Sequence, residues 1–321
     1  MSYAEAQPAL EEAVTRPPSS FRLLRRLAKR PVAVVAICVI MVVYGAGILA
    51  PWVAPYGFNK TDFENRFAGP TAEHPLGTDR LGRDTLSRII WSAQTTVIIS
   101  VAALVTGGLV MGVSMGLLAG YAGGKVDAVI MRVADAFFSV PTILLLLIIN
   151  VTLVGRVDAW FRDLEDFLGV DWIVSSGAPS YFLVFGALAI FGWVGMARLV
   201  RSQVLSLKES AFITAAQASG ATTSRILSRH LLPNVANLLI VAVTLSLGAA
   251  AVAEVGLTFL GIGVQPPHPS FGIMIFDNAG VNALKTHPQL VIYPAIVISA
   301  LMLSFNLLGD VLTEELSPRR R

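Results

Sequence analysis

The densest group of chemically capable side chains lies between His74 and Trp91, HPLGTDRLGRDTLSRIIW, where Asp79, Arg80, Arg83, Asp84 and Arg88 alternate in sign around Gly77 and Gly82. The sharpest chemistry such a stretch could support is a metal centre. That needs several imidazole, thiolate or carboxylate donors aimed at one point, and one histidine among arginines supplies too few. Mixed charges at this spacing predict instead local ion pairs that pin a turn beside the next helix. The remaining histidines, His230, His268 and His287, are scattered, and the single cysteine, Cys38, cannot form an intrachain disulfide. With no nucleophile–base pair and no cluster of acids legible, no catalytic residue and no metal ligand is assigned.

Residues 120–126, GYAGGKV, superficially resemble a phosphate-binding loop. The nucleotide-binding pattern requires glycine where Ala119 stands and Ser or Thr where Val126 stands. This chain is therefore expected to bind no cofactor, and any ATP must be handled by another subunit. Other polar groups sit at or near apolar runs. Arg132 and Asp135 have the spacing to pair on one helix face. Asn150 and Glu254 either face another helix or a pathway, as intramembrane polar groups do, or, in the case of Glu254, stand in water at the interface. We place Glu254 at the interface.

These groups are set in a strongly apolar chain. Of 321 residues, 55% are hydrophobic and 14% charged, and the mean hydropathy is +0.69. That excludes a soluble globular domain. A transmembrane helix needs about 20 apolar residues to cross a hydrocarbon core roughly 30 Å thick. Runs of that kind fall near residues 31–50, 95–120, 134–154, 181–199, 235–256 and 290–308, predicting an all-α membrane protein of six transmembrane helices. Pro141 is expected to kink the third. Basic residues favour the cytoplasmic side. With the N-terminus inside, 16 Lys and Arg lie inside and 8 outside, so both termini are expected in the cytoplasm. The net charge of +3 reflects this sidedness and implies no nucleic-acid partner.

The expected organisation is a disordered tail over 1–20, which lacks the apolar core of a signal peptide; a basic approach, first span and external loop over 21–94; a core of five spans over 95–310; and a tail over 311–321. Within 21–30, Phe21, Leu24 and Leu27 recur among cations and predict a surface helix held by anionic lipid. Pro266, Pro267 and Pro269 predict a rigid external turn after the fifth span.

Two patterns speak to assembly. Gly108, Gly112, Gly116 and Gly120 recur at strict i+4 spacing and form a ridge for close helix approach; the spacing leaves open whether the partner helix is in this chain. The cytoplasmic loop 200–234 contains FITAAQASGATTSRILSRHLLPN, two short helices broken at Gly220. On the first, Phe212, Ala215, Ala216 and Ser219 share one small-residue face. Thr222, Thr223 and Ser224 offer caps to the second, and Pro233 is expected to limit it. Such a gapped, small-residue segment suits docking to a partner protein.

This segment resembles the coupling loop of ATP-binding-cassette (ABC) importer permeases, whose pattern is Glu-Ala-Ala, then Gly, then apolar-x-Leu-Pro. Ala215, Ala216, Gly220, Leu232 and Pro233 match, while Thr214 replaces the glutamate and His230 stands at the apolar site. His74–Asp79 with Gly82–Asp84 resembles a motif of the C-type permeases of dipeptide and oligopeptide importers. Glu254–Gly272, EVGLTFLGIGVQPPHPSFG, resembles that family's signature Glu-Leu-Gly-Leu-Ser-Phe-Leu-Gly-Leu-Gly-Val-Gln-Pro-Pro.

The resemblance spans about 21–315 and implies a type I ABC-importer fold for a non-catalytic permease of the bacterial or archaeal cell (inner) membrane. It implies as partners a second, B-type permease, two ATPases that bind the ATP and Mg, an extracytoplasmic peptide-binding protein and the lipid bilayer. It places the ATPase contact at Phe212, Thr214, Ala215, Ala216, Gly220 and Pro233, and names no substrate-binding residue. Nickel or other metal-chelate importers use similar permeases and remain an alternative. A secondary transporter is a further one, though no inverted repeat and no mid-membrane charge is legible.

Overall fold

A computed structural model describes residues 20–139 and 141–316; the predicted tails, including Arg319–Arg321, lie outside the described residues save for a few positions at their inner edges. Every major element is helical. They are α1 Ser20–Leu27, α2 Pro31–Ile48, α3 Ala50–Val53, α4 Thr85–Ala122, α5 Gly124–Ser139, α6 Thr142–Leu168, α7 Ala178–Leu207, α8 Ala211–Ala218, α9 Thr223–Phe259, α10 Phe271–Asn278, α11 Val281–Thr286 and α12 Gln289–Leu316. Among the described residues there is no strand beyond one isolated bridge between Thr78 and Asp84. Six of these helices, α2, α4, α6, α7, α9 and α12, are long and apolar enough to cross a membrane. This is the form backbone polar groups must take where no water can satisfy them.

Because the spans alternate in direction, the loops sort to two ends. Residues 54–84, 169–177 and 260–288 gather at one, the loop end. Residues 28–30, 123 and 208–222 gather at the other, the hairpin end. A core of Ile89, Ala93, Val255, Phe271, Leu301 and Phe305 joins α4, α9, α10 and α12 near the loop end. A second core, with Val113, Val200, Val204, Ile213, Ile226 and Leu231, joins α4, α7, α8 and α9 near the hairpin.

Several boundaries differ from those expected. The third run is not one kinked helix: α5 ends at Ser139 and α6 starts after Pro141, whose φ of −55° and ψ of 115° are not helical. A proline lacks an N–H and disfavours helical backbone in the residue before it, and here the helix breaks rather than kinks. Downstream, α6 runs past the end expected near residue 154 to Leu168 and takes up Asp158, Asp163, Glu165 and Asp166. Asp135 pairs with Arg198 of α7 at 2.6 Å rather than with Arg132. Its companion Asp127 pairs with Arg201, so α5 is fastened to α7 along two turns.

At the hairpin end Arg26 and Arg30 reach Glu315 at 3.6 and 3.3 Å, tying α1 to the end of α12. These two cations of the expected lipid-facing helix are engaged within the chain, while Arg25 and Lys29 remain exposed.

Candidate functional site

The hairpin is built by local signals. Leu207 ends α7, and α8 follows after Ser210, whose backbone is extended. Gly220 takes φ +77°, and the N–H groups of Gly220 and Ala221 return to the carbonyls of Gln217 and Ala216, closing the end of α8. No atom lies within 4 Å of where a Cβ on Gly220 would stand, so only the backbone conformation demands glycine there. Thr222 then caps α9, its hydroxyl accepting from the Arg225 N–H at 3.4 Å.

One side chain roots α8. Ile213 is fully buried beside Val200, Val204 and Leu231, and Gln217 donates to the Tyr121 hydroxyl of α4 at 3.3 Å. Thr214 and Ala215 are exposed, and Phe212 and Ala216 half-buried. The face expected to be continuous over Phe212, Ala215, Ala216 and Ser219 is thus split, because Ile213, the largest aliphatic residue of the helix, claims the core. Pro233 is exposed but does not end the helix. The Leu232 N–H reaches Leu227, five residues back, through a widened turn over Ile226–Leu231, and α9 continues to Phe259. The wide turn carries the chain into a proline that lacks an N–H.

The glycine ridge of α4 lies against α7. A Cβ on Gly112 would come within 2.6 Å of Met196, on Gly116 within 2.6 Å of the Ala197 carbonyl, and on Gly120 within 2.7 Å of Val204. Gly108 is looser, meeting only Leu104 of its own helix at 3.1 Å and Met196 at 3.9 Å. The tight contact at that level belongs to Gly107, 2.5 Å from the Ala189 carbonyl, which the i+4 pattern missed. Residues Leu104–Val113 form wide i→i−5 turns, so the residue aligned with Gly112 is the one five positions earlier.

At the loop end, Asp79 collects the charged motif. It accepts from the N–H groups of Leu81 and Arg83 at 2.8 and 3.0 Å, from Arg83 Nε at 2.7 Å and from Arg88 Nη1 at 2.7 Å. Burial pushes its carboxyl up, but Arg88, Arg83 and the two N–H donors together hold it below the usual carboxylate range. Asp84 caps α4 through the Ser87 N–H at 2.7 Å and meets His74 Nδ1 at 3.0 Å. Arg80 reaches Asp277 of α10 at 3.2 Å, extending the network to the fold-back between α9 and α12. Among the described residues no group of three His, Cys, Asp or Glu is placed to hold a metal.

Glu254 corrects the sequence reading most sharply. It does not stand in water but is fully buried in α9. Its carboxyl accepts from Thr96 of α4 at 3.0 Å and from Thr258 at 3.1 Å. The proline-rich segment after it folds back on the bundle, with Ile262, Val264 and His268 buried, and α10 enters the core through Phe271.

Two cavities were not legible in the sequence. One, about 320 Å³, lies between α4, α7 and α9 and is lined by Ala103, Gly108, Phe191, Ser246, Ala250 and Ala253, among other residues that carry no charge. The other, about 460 Å³ at the loop end, is lined by Phe58, Trp91, Gln94, Tyr181 and His268. Burial holds the His268 imidazole below its ordinary pKa, a bond to the Ser175 backbone offsetting this only in part.

Comparisons with known proteins place this architecture. The family described as "Binding-protein-dependent transport system inner membrane component" matches residues 108–321, and "N-terminal TM domain of oligopeptide transport permease C" matches residues 21–70. The dipeptide transport system permease protein DppC of Bacillus subtilis is 32% identical over 97% of this chain and 89% of its own length. The oligopeptide transport system permease protein OppC of the same organism is 34% identical, covering 92% and 88%. The glutathione transport system permease protein GsiD of Escherichia coli is 35% identical, covering 92% and 89%. A solved structure of the MetNI methionine ABC transporter in an inward-facing conformation aligns with a TM-score of 0.52 at 17% identity, covering 72% of this chain and 97% of that one; the likeness is one of fold.

Proposed function

This chain belongs to the binding-protein-dependent transport system inner membrane component family and is a multi-pass permease subunit of an ABC importer, and from that premise we infer that it forms half of a translocation pathway for di- or oligopeptides. The observation that carries the peptide reading is the joint match to both family descriptions together with similarity over 92–97% of the chain to permeases named for dipeptides, oligopeptides and glutathione. A second permease supplies the other half. Two ATPase subunits bind ATP and Mg, and an extracytoplasmic binding protein delivers the peptide. The membrane is the bacterial inner membrane, with both termini and the hairpin in the cytoplasm and the loop end outside.

The geometry suits this division of labour. Thr214, Ala215 and Gly220 are exposed beside the half-buried Phe212 and Ala216, leaving a small-residue surface for an ATPase cleft. Ile213 roots α8 in the core shared by α4, α7 and α9, so displacement of α8 is carried into those helices. Pro233 sits in the helical joint between hairpin and span, and the ridge of Gly112, Gly116 and Gly120 lets α4 move with α7 as one body. Closure of the ATPase dimer would then tilt these helices and open the pathway outward. The cavity between α4, α7 and α9 carries no charge in its lining, which suits a pathway that leaves peptide selection to the binding protein.

Purification of the tagged chain in mild detergent, with mass spectrometry of what accompanies it, tests the reading. The expected result is a second permease, ATPase subunits and a binding protein holding a peptide. A chain that purifies alone and drives ion-coupled uptake without ATP would overturn it, and a captured binding protein loaded with a metal chelate would overturn the peptide assignment.

A further inference from the structure

Next to Ala253, at the edge of the uncharged cavity, stands a chain of hydrogen bonds that the proposed function does not use. Glu254 is fully buried, directly follows the cavity-lining Ala253 and, among the described residues, forms no ion pair within 4 Å. Its two oxygens are served by neutral hydroxyls, Thr96 of α4 and Thr258 of α9, with the Ser270 hydroxyl of the segment after α9 also bonded to the carboxyl. The Thr258 hydroxyl also accepts from the Val264 N–H at 3.3 Å, passing the link to the fold-back segment. That segment is pressed against the same side chain. A Cβ on Gly263 would come within 1.8 Å of Thr258 Oγ1, and one on Gly272 within 2.7 Å of Thr258 Cβ. Beside Thr96, the Thr95 hydroxyl donates to the Pro269 carbonyl at 2.8 Å, and Asn150 of α6 donates to the Ile262 carbonyl at 2.6 Å.

We propose that Glu254 is a positioning residue that latches the segment 260–272 at the edge of the cavity, through hydroxyl bonds joining α4 to α9. A buried carboxyl is costly unless its acceptors are filled, and here Thr96 and Thr258, within 3.1 Å, and Ser270 of the segment itself fill them. Parting α4 from α9 at this level breaks the Thr96 bond and loosens Thr258, on which the segment rests. The segment's release is thereby tied to separation of the two helices, so that it stays closed while they are together. Glu254 acts through Thr258 and Thr96, without touching substrate.

The test places a cysteine at Val264, which is 2% exposed, in a Cys38→Ala background. The assembled transporter in right-side-out membrane vesicles without ATP is then treated with a membrane-impermeant charged maleimide. Val264→Cys should be protected in the otherwise unchanged protein. Glu254→Ala should speed labelling at least tenfold. Glu254→Gln, which can still accept from one threonine and donate to the other, should stay within about threefold of the parent; that rescue is what a general loss of packing would not produce. Should Glu254→Ala fail to assemble, Thr96→Val removes the bridge to α4 with the carboxyl left in place and should also speed labelling. Equal protection in Thr96→Val and Glu254→Ala overturns the latch. Labelling of Glu254→Gln as fast as Glu254→Ala overturns the hydroxyl-bond mechanism in favour of charge. Neither arm depends on which substrate is carried.

Discussion

At the hairpin end, Thr214, Ala215 and Gly220 stand exposed while Ile213 alone of α8 is buried. At the loop end, Asp79, Arg88, Glu254 and Thr258 are all buried and bonded to other groups of the chain. The difference follows from where each end must find its partners. Polar groups removed from water must be satisfied inside the fold, so the loop end carries its own counter-charges and hydroxyls. The hairpin is rooted by Ile213, Ile226 and Leu231 and leaves the rest of α8 as a small-residue surface close to the backbone. One end meets most of its polar needs within the chain, and the other presents a surface that we propose a second protein completes.

This contrast can be broken by mutation. The largest cost to the fold is expected from Asp79→Ala, which leaves Arg88 buried without its carboxylate. Breaking one side of a buried pair costs about 3–5 kcal/mol, read as a fall in the thermal midpoint of the detergent-extracted transporter. Gly116→Val comes next, because its Cβ would stand 2.6 Å from the Ala197 carbonyl and overpacking costs about 1–3 kcal/mol. The same assay should show the loss, together with a reduced yield of assembled complex.

Gly220→Val should cost less, about 1–2 kcal/mol for a left-handed residue bearing a Cβ, confined to an open turn. Membrane insertion should be intact while ATP-driven uptake is abolished. Uptake at the parent rate would refute the hairpin as the coupling element. That outcome would also remove the asymmetry between cost to fold and cost to function on which the comparison rests.

The smallest effect is expected from acid, and it should strike the loop end first. Burial lowers the His268 pKa in the folded chain, so the unfolded chain binds more protons. The stability that His268 contributes is therefore complete above the unfolded value of about 6.5 and is lost as pH falls below it. Asp79 is also depressed; its contribution is complete above about 3.9 and is lost only at lower pH. A pH series of thermal midpoints should fall in these two stages, and His268→Gln should flatten the first. A profile unchanged by that substitution would show that His268 is not what makes the loop end acid-sensitive.

Much of the working surface was legible in advance because its signals are local. Gly220 and Thr222 mark the turn and cap of the hairpin by residue type alone, and the alternation of Asp79, Arg83 and Arg88 implies ion pairs at short range. Ile213 was missed as the anchor of α8 because one face of small residues looked more regular than a single large one. Gly107 was missed because the ridge was read with an α-helical period, whereas the helix widens over Leu104–Val113.

The six spans, the helical class and the hairpin motif were settled by the order of residues. An apolar run long enough to cross a membrane has no alternative to helix once water is absent, and a turn glycine imposes its backbone wherever it occurs. Pairings between distant elements belonged to the folded chain. Asp135 chose Arg198 over the adjacent Arg132, the glycine ridge found α7, and Glu254 left the interface for the hydroxyls of Thr96 and Thr258. Hydrophobicity acts on each segment through the solvent it shares with every other, whereas a hydrogen bond or an ion pair exists only after packing has brought two specific groups within about 3 Å.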